Sequence, residues 1–452
     1  MIRALSLSAA AQEFGGTLMY PDCQFSEVST DSRKLAEGEL FVALRGERFD
    51  AHQFLSDVAT RACGMVVERP ARDINVPQWV VPDTTLALGQ LALLNRRAFH
   101  GPLVAVTGSS GKTTVKEMIA AILGECGPVL ATRGNLNNQI GVPLTLMQLE
   151  SRHRFAVIEM GASGPGEIAY LCSLARPDVV LVNNVLPAHV AGFGSLDGVA
   201  LAKGEIYRGV APEGVSVINF DEAWADRWRA SAAAPVLGFS MKSEVADFRA
   251  RDLQADESGC YRFVLITPVG EMAVSLTISG RHNVANALAA AACAYAAGAE
   301  LEAIAIGLGK MQPVPGRMNR KVLSTGATVI DDSYNANPGS VKAAVDALLA
   351  MKGDPILVLG DMGELGADEA GLHGDVGRYA AQQGVPRLLA VGPLSINTVR
   401  EFGAGGEHFD SKDALVKRLQ QLLEPGSVVL VKGSRFMAME TVVQQITDRG
   451  EL

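Results

Sequence analysis

The chain has 452 residues, 48% of them hydrophobic, with a net charge of −9 and a pI near 5.4. This length suits roughly two to four domains, and an acidic balance without a basic cluster argues against a nucleic-acid partner. The six cysteines are scattered without a Cys-x-x-Cys pair, and no uninterrupted apolar run reaches the length of about 18 residues that a membrane span needs. We therefore expect a cytoplasmic protein without a membrane partner.

The first 85 residues predict a small α/β unit. Hydrophobic periodicity predicts a helix over 5–14, an alternating strand over 39–44, a helix over 51–63, and strands over 65–68 and 79–81. Polar residues beside its turns are Ser32, Arg33, Asp50 and His52. From the residues alone, a solvated surface is the better explanation of these four.

The segment LVAVTGSSGKTT, residues 103–114, predicts a phosphate-binding loop. A buried strand over 103–106 meets a glycine turn, and a helix opens at Lys112 because apolar residues then recur at helical spacing. Backbone N–H groups at such a helix N-terminus bind phosphate, the Lys112 ammonium can reach the β and γ phosphates, and the Thr113 hydroxyl can ligate Mg²⁺. The predicted ATP-binding residues of the loop are Gly108, Ser109, Ser110, Gly111, Lys112, Thr113 and Thr114.

The loop is a variant of the usual P-loop. The glycine expected five residues before Gly111 is replaced by Val106. This departure weakens an assignment to generic GTPases or motor proteins.

Two further candidates follow the predicted strands of this region. Glu159 ends an apolar strand over 155–160, where burying a carboxylate is costly unless a partner compensates it. A metal ion shared with Thr113 would provide that compensation. His189 lies in a glycine-rich loop just past a strand over 179–183, at the carboxyl edge where open α/β sheets bind ligands.

Lysine and asparagine side chains are the remaining candidate site residues in the middle of the chain. Lys203 lies on a helix predicted over 199–210, where a solvated lysine is the simpler explanation. Asn137 and Asn138 are either turn residues or substrate contacts beside the ATP site. Asn283 and Asn286 share one face of a helix beginning near 283, with an N-cap as the alternative role for Asn283.

The last third of the chain predicts a doubly wound domain. A Pro- and Gly-containing segment over 310–320 marks the boundary. Strands over 328–331, 356–359, 387–391 and 428–431 alternate with helices near 339–351, 369–383, 395–402, 411–423 and 437–447. Ligand loops are expected after the strands, over 331–338, 360–366 and 432–435. The predicted domains are 1–85, 86–313 and 314–452.

These motifs together resemble the Mur ligase family, the ATP-dependent amide ligases of cell-wall precursor synthesis. The resemblance covers the whole chain and rests on TGSSGKTT, including its missing early glycine, followed in order by Glu159, His189, Lys203, Asn283, Asn286, Arg317 and Asp332. It implies an α/β protein of three domains: a small N-terminal UDP-binding domain, a central P-loop ATPase domain with a mainly parallel sheet, and a C-terminal Rossmann-like domain.

The resemblance also implies roles for the dispersed residues. Two Mg²⁺ ions are expected, one held by Thr113 and Glu159, the other placed by His189 and by Lys203 in a carbamylated form. Lys112, Glu159, His189 and Lys203 are the implied catalytic residues. Asn283 and Asn286 would meet the nucleotide base, Arg317 and Asp332 the phosphates and ribose, and Asn337 the adenine, which requires closure about the 310–320 segment.

Within the family, three segments resemble the member that joins D-alanyl-D-alanine to UDP-N-acetylmuramoyl-tripeptide. These are DDSYNANP, LGDMGELG and STDSRKLAEGELFVALRG. The resemblance implies that Ser32 and Arg33 bind the UDP end, with Asp50 and His52 as further candidates, although the chain has Asp-Ala-His where the family often has Asp-Gly-His. Asn137 and Asn138 are candidates for the muramoyl-peptide side, and a monomer is expected.

The sequence motifs leave other functions open. The ligase that adds the third amino acid shares the N-terminal segment, but its DNPR-type motif is absent here. Folylpolyglutamate synthases share the P-loop but not the N-terminal unit. A P-loop ATPase acting as a switch, or an inactive nucleotide-binding scaffold, would not need the set around His189 and Lys203.

Overall fold

A computed structural model describes residues 1–46, 49–187 and 190–448 and shows an α/β protein built around three main sheets. The strands are β1 (Leu5–Ser6), β2 (Thr17–Met19), β3 (Gln24–Phe25), β4 (Val28–Ser29), β5 (Leu40–Val42), β6 (Arg45–Gly46), β7 (Phe49–Asp50), β8 (Gly64–Val67), β9 (Gln78–Val80), β10 (Leu103–Thr107), β11 (Val129–Ala131), β12 (Phe155–Glu159), β13 (Val179–Val182), β14 (Val215–Asn219), β15 (Val236–Phe239), β16 (Arg249–Ala255), β17 (Cys260–Thr267), β18 (Gly270–Ser279), β19 (Asn319–Val322), β20 (Thr328–Asp332), β21 (Asp354–Gly360), β22 (Leu388–Val391), β23 (Gly406–Phe409) and β24 (Ser427–Lys432).

The α-helices are α1 (Leu7–Phe14), α2 (Leu55–Val58), α3 (Thr84–Arg97), α4 (Lys112–Gly124), α5 (Gly141–Met147), α6 (Glu167–Ala175), α7 (Val190–Phe193), α8 (Leu196–Gly204), α9 (Ala225–Ser231), α10 (His282–Ala296), α11 (Leu301–Lys310), α12 (Pro338–Leu349), α13 (Glu369–Gln382), α14 (Ser395–Phe402), α15 (Lys412–Leu422) and α16 (Glu440–Thr447). Among the described residues, no helix combines the length and the apolar character needed to cross a bilayer.

The N-terminal region is the small α/β unit predicted from the sequence. Its five strands are ordered β2-β9-β8-β5-β4, and Trp79 and Met65 are fully buried within it. Three local predictions are wrong. The helix predicted from Leu5 begins at Leu7, because Leu5 and Ser6 pair with β3. The predicted helix over 51–63 is only a 3₁₀ turn and one α-turn, and the strand predicted to alternate is buried on both faces.

The central sheet has six parallel strands in the order β11-β12-β10-β13-β14-β15. Strands such as Leu103–Thr107 are buried along their whole length, which is why they read as continuous apolar runs instead of alternating ones. The register pairs Val106 with Glu159. Strand pairing therefore carries the Glu159 carboxylate to the level of the phosphate-binding loop.

A three-stranded antiparallel sheet, β16-β17-β18, follows the central sheet. Strands β17 and β18 form a hairpin, since they pair from Thr267↔Gly270 outward. Helix α10 then packs its alanine-rich length into the core beneath α4.

The last sheet has the order β19-β20-β24-β21-β22-β23, and all pairs are parallel except β19 with β20. The four predicted strands and five predicted helices of this region are confirmed within a few residues. Strands β19 and β23 at its two edges were not predicted, because their residues are polar and partly exposed and carry no apolar run. The same holds for β16 in the three-stranded sheet.

Candidate active site

The phosphate-binding loop has the predicted strand–turn–helix geometry. Gly111 precedes α4 with φ of +74°, in the left-handed region that glycine enters without strain. A Cβ atom at Gly111 would lie 2.7 Å from Asn183 Nδ2 and 2.8 Å from Asn286 Oδ1. Both the backbone angle and the packing therefore require glycine at this position.

Asn184 accepts hydrogen bonds from two N–H groups of the loop that the sequence predicts to bind phosphate. The backbone N–H of Ser109 donates to its carbonyl oxygen at 2.9 Å, and the N–H of Ser110 donates to its Oδ1 at 2.8 Å. These two N–H groups are therefore occupied within the protein. The donors at the start of α4, over 111–114, remain the ones positioned for a phosphate.

Lys112 folds back over its own loop. Its Nζ donates to the carbonyl oxygen of Gly108 at 2.8 Å. Burial lowers the pKa of Lys112, which the negative charge of Glu159 opposes and the positive charge of Arg317 reinforces. A polyphosphate bound in this site would place negative charge beside Lys112 and so favour its charged ammonium form.

Thr113, Glu159 and Asn137 form one hydrogen-bonded group. Thr113 Oγ1 donates to Glu159 Oε2 at 2.8 Å, and Asn137 Nδ2 donates to Glu159 Oε1 at 2.8 Å. Glu159 is only 2% exposed. A buried carboxylate beside a hydroxyl supplies the hard oxygen ligands that Mg²⁺ prefers.

The donor set fits Mg²⁺ bound largely by phosphate. Among the described residues there is no cluster of three or more His, Cys, Asp or Glu side chains able to hold a metal by themselves. Mg²⁺ commonly takes one or two protein oxygens and completes its shell with water and substrate phosphates. Thr113 and Glu159 suit that pattern.

Lys203 is buried behind the loop, at 1% exposure. Burial, aided by repulsion from Lys112 and opposed by Glu167, lowers the pKa of Lys203 to about 7. Its Nζ lies 5.8 Å from the centre of the Phe193 ring. The solvated-lysine alternative is therefore wrong. The predicted partner His189 lies outside the described residues.

The two helix asparagines lie on one face of α10, as predicted, and line the cleft. Asn286 Nδ2 donates to Asn283 Oδ1 at 2.8 Å, and Asn183 Nδ2 donates to Asn286 Oδ1 at 3.0 Å. The N-cap alternative for Asn283 is wrong, because it lies inside α10 and donates from Nδ2 to the Ser279 carbonyl at 2.7 Å.

The C-terminal region contributes a second wall. Lys432 Nζ donates to Asp332 Oδ2 at 2.6 Å, and the Arg317 guanidinium lies 4.2 Å from the centre of the Tyr334 ring. Asn337 lines the same wall, where its Oδ1 accepts the Ser340 N–H at 2.9 Å and so caps α12. The side chain of Asn337 thus has a structural role whatever it contacts in a ligand.

Together these walls enclose a cleft of about 690 Å³ between the central and C-terminal regions. The predicted residues lining it are Ser109, Ser110, Gly111, Lys112, Thr113, Thr114, Asn137, Asn138, Glu159, Lys203, Asn283, Asn286, Arg317, Asp332 and Asn337. The cleft is also lined by Asn183, Asn184, Tyr334 and Lys432, which the sequence did not single out as residues. Tyr334 and Lys432 lie in the ligand loops predicted over 331–338 and 432–435. Asn183 and Asn184 directly follow β13, a position at which α/β sheets bind ligands.

The four N-terminal candidates lie apart from this cleft and have partners of their own. Arg33 is exposed and forms a two-pronged ion pair with Asp31. His52 Nδ1 lies 2.6 Å from Asp50 Oδ1, and its Nε2 accepts the Glu68 N–H at 2.9 Å. His52 therefore ties a turn together through both ring nitrogens, and the Ser32 carbonyl oxygen accepts from Arg61.

Asn138 also has a local role. Its Oδ1 accepts the Gly141 N–H at 2.9 Å and the Ile140 N–H at 3.2 Å, at the start of α5. The turn interpretation of Asn138 is thus realised in the structure, while Asn137 orients Glu159.

Comparison with known proteins agrees with this architecture. The model of the Mur ligase middle domain matches residues 106–294, and that of the Mur ligase glutamate ligase domain matches residues 316–435. UDP-N-acetylmuramoyl-tripeptide–D-alanyl-D-alanine ligase of Escherichia coli K12 is 46% identical over 451 residues, with 99% of each chain covered.

Two solved structures share the fold. MurF from Acinetobacter baumannii is 38% identical with a TM-score of 0.93, and 99% of each chain is covered. MurF from Thermotoga maritima, solved in complex with ADP, is 27% identical with a TM-score of 0.83, covering 94% of this chain and 98% of the other.

Proposed function

The chain belongs to the Mur ligase family, and from this premise we propose that it is an ATP-dependent ligase that joins D-alanyl-D-alanine to UDP-N-acetylmuramoyl-tripeptide. The products are the UDP-N-acetylmuramoyl-pentapeptide, ADP and phosphate, in peptidoglycan precursor synthesis. The observation that carries the proposal is a single cleft that combines a phosphate-binding loop, a buried carboxylate–hydroxyl pair and a second wall from the C-terminal region.

The chemistry requires activation of the tripeptide carboxylate. ATP phosphorylates that carboxylate to an acyl phosphate, the dipeptide amine attacks, and phosphate leaves the tetrahedral intermediate. Such a path depends mainly on positioning and charge neutralisation. In our proposal, Lys112 neutralises the β and γ phosphates, and the N–H groups at the start of α4 hold them in line with the carboxylate.

Two Mg²⁺ ions belong to the proposal. Thr113 and Glu159 would hold one, with Asn137 fixing the carboxylate, and His189 and a carbamylated Lys203 would support the other. When bound, the ions would neutralise the charge that develops on the transferring phosphoryl group. The low pKa of Lys203 supports its carbamylation, since only the neutral amine reacts with CO₂.

The nucleotide contacts span both walls of the cleft. We assign the base to Asn283 and Asn286, the phosphates and ribose to Arg317 and Asp332, and the adenine edge to Asn337. Arg317 and Asp332 both belong to the C-terminal region. We propose that closure about residues 310–320 completes the site, with domains over 1–85, 86–313 and 314–452.

The UDP end of the substrate is assigned to the N-terminal domain. Arg33 is the foremost candidate there, because its guanidinium is exposed and can turn from Asp31 to a diphosphate. Ser32 lies beside it. The Asp50–His52 pair shapes the adjacent turn in our proposal instead of binding the substrate directly. Asn137 and Asn138 shape the wall that faces the muramoyl peptide.

We further propose that the enzyme acts as a monomer in the cytoplasm. One chain supplies both walls of the cleft, and all six cysteines are free, as is usual in a reducing compartment.

The deciding experiment measures phosphate release from ATP with Mg²⁺ and UDP-N-acetylmuramoyl-tripeptide, with and without D-alanyl-D-alanine. We expect release that requires both substrates and yields the pentapeptide. Release driven by a free amino acid with the UDP-muramoyl-dipeptide would instead identify the ligase that adds the third residue. Release indifferent to both substrates would contradict the proposal.

A further inference from the structure

The mechanism proposed above gives no role to a buried lysine on the C-terminal wall of the cleft. Lys432, the last residue of β24, is 4% exposed and lines the cleft. Its Nζ donates to Asp332 Oδ2 at 2.6 Å and to the Asn335 carbonyl oxygen at 2.9 Å. Two strands that are neighbours in the sheet, β20 and β24, bring the pair together, with Asp332 opposite Lys432 in the register.

The position of Asp332 depends on two donors. Lys432 holds Oδ2, and the Met318 N–H donates to Oδ1 at 3.2 Å. Met318 follows Arg317 directly and has φ of +53°, so the carboxylate also fixes the backbone that presents the guanidinium. Lys432 therefore anchors one end of a chain of contacts that reaches Arg317.

The charge of the pair is as important as its geometry. Among the described residues, Asp332 is the one carboxylate that the C-terminal region contributes to the cleft lining. An uncompensated carboxylate there would repel the phosphates of a nucleotide, and in a partly buried site water screens that repulsion weakly. Lys432 cancels the charge and leaves the outer lone pairs of Asp332 free to accept hydroxyl groups.

From these contacts we infer that Lys432 is a positioning residue for the nucleotide, which orients Asp332 towards the ribose hydroxyls and neutralises it against the phosphates. The inference rests on the proposed ATP-dependent reaction. It assigns Lys432 no contact with the reacting atoms.

The test uses the full-length protein and two readouts. ADP binding is measured by calorimetry, and the KM values for ATP and for UDP-N-acetylmuramoyl-tripeptide are measured in the ligase assay. We expect K432M to raise the Kd for ADP and the KM for ATP by about tenfold or more, since removing one partner strands a buried charge. The KM for the UDP substrate should stay within about twofold of the wild type, because the UDP end binds elsewhere.

Controls separate positioning from general stability. K352M removes a lysine of the same region that pairs with Glu257 at 2.8 Å but is exposed and outside the cleft, and it should leave ADP binding unchanged. K432R, which keeps the charge, should recover part of the affinity. In a D332N background, K432M should weaken ADP binding much less than in the wild type, because its partner charge is already gone.

Two results would overturn the inference. One is an unchanged Kd for ADP in K432M, and the other is an equal loss with and without D332N. If K432M does not fold, K432Q and K432R provide the same comparison. Because ADP binding needs no ligase turnover, a wild-type protein that binds ADP but forms no pentapeptide would refute the proposed function and leave this inference testable.

Discussion

Lys203 illustrates how burial changes what a side chain can do. An exposed lysine is almost fully protonated at neutral pH, whereas the desolvated Nζ of Lys203, with Lys112 nearby, has a pKa of about 7. The neutral amine is therefore far more accessible near neutral pH than in an exposed lysine. A neutral amine in a site that also receives anionic phosphates can be carbamylated, and the resulting carboxylate would suit a metal ion.

We predict that ligase activity depends on dissolved CO₂. Depleting CO₂ should lower the activity and bicarbonate should restore it, and the loss should deepen as the pH falls through 7, because protonation removes the reactive amine. Carbon-13 NMR after addition of labelled bicarbonate should show a carbamate signal that K203M lacks. Equal activity with and without CO₂, together with no such signal, would refute the modification.

Gly111 is constrained by its φ of +74° and by the two asparagine side chains that a Cβ atom would contact. We predict that G111A lowers kcat/KM for ATP by about 100-fold, because the loop must shift from its productive position. Steady-state kinetics checks this. G124A is the matched control, since a Cβ atom at the end of the same helix has nothing within 4 Å, and it should keep wild-type kinetics.

Among the helices and strands, the sequence predicted those whose burial, turn residues and periodicity agree with the fold. The strand–loop–helix around Lys112 was predictable because its buried strand, glycine turn and helix periodicity follow one another directly along residues 103–124. The contacts of Asn184 with that loop were not, since 74 residues separate it from Ser110. Edge strands such as Asn319–Val322 have no apolar pattern, because few of their residues are buried.

The two asparagines before α5 show that neighbouring residues of one type can differ in role. Asn138 satisfies N–H groups at the helix start, whereas Asn137 orients Glu159. We predict that N138A destabilises the protein by about 1 kcal/mol, because two backbone N–H groups lose their acceptor, with little effect on kcat.

N137A should differ from N138A in kcat. It should lower kcat as well as the melting temperature, because the buried Glu159 loses the donor that fixes one of its oxygens. Thermal unfolding and steady-state kinetics on both variants test the pair. If N138A lowers kcat as much as N137A does, Asn138 contacts the substrate and the structural role proposed here is wrong.

At the scale of the whole molecule, the candidate site exists only because two separate sheets face each other. The central sheet supplies the phosphate loop, the C-terminal sheet supplies Asp332, and the segment 311–318 that joins them carries Arg317. Contacts across the junction are modest, such as the exposed Lys352–Glu257 ion pair. Exposed ion pairs of this kind add little stability, which is compatible with relative movement of the two parts.

We therefore predict that ligands close the cleft and protect the connecting segment. Lys310, Arg320 and Lys321 are exposed, so trypsin should cut near them when no ligand is added. A non-hydrolysable ATP analogue with Mg²⁺ and the UDP substrate should slow these cuts several-fold, because closure orders the segment against both walls. Cleavage at the exposed Arg33 provides a control for the N-terminal domain, since UDP alone should slow it. An unchanged rate near residues 310–321 at saturating ligand would mean that the cleft is already in its closed form.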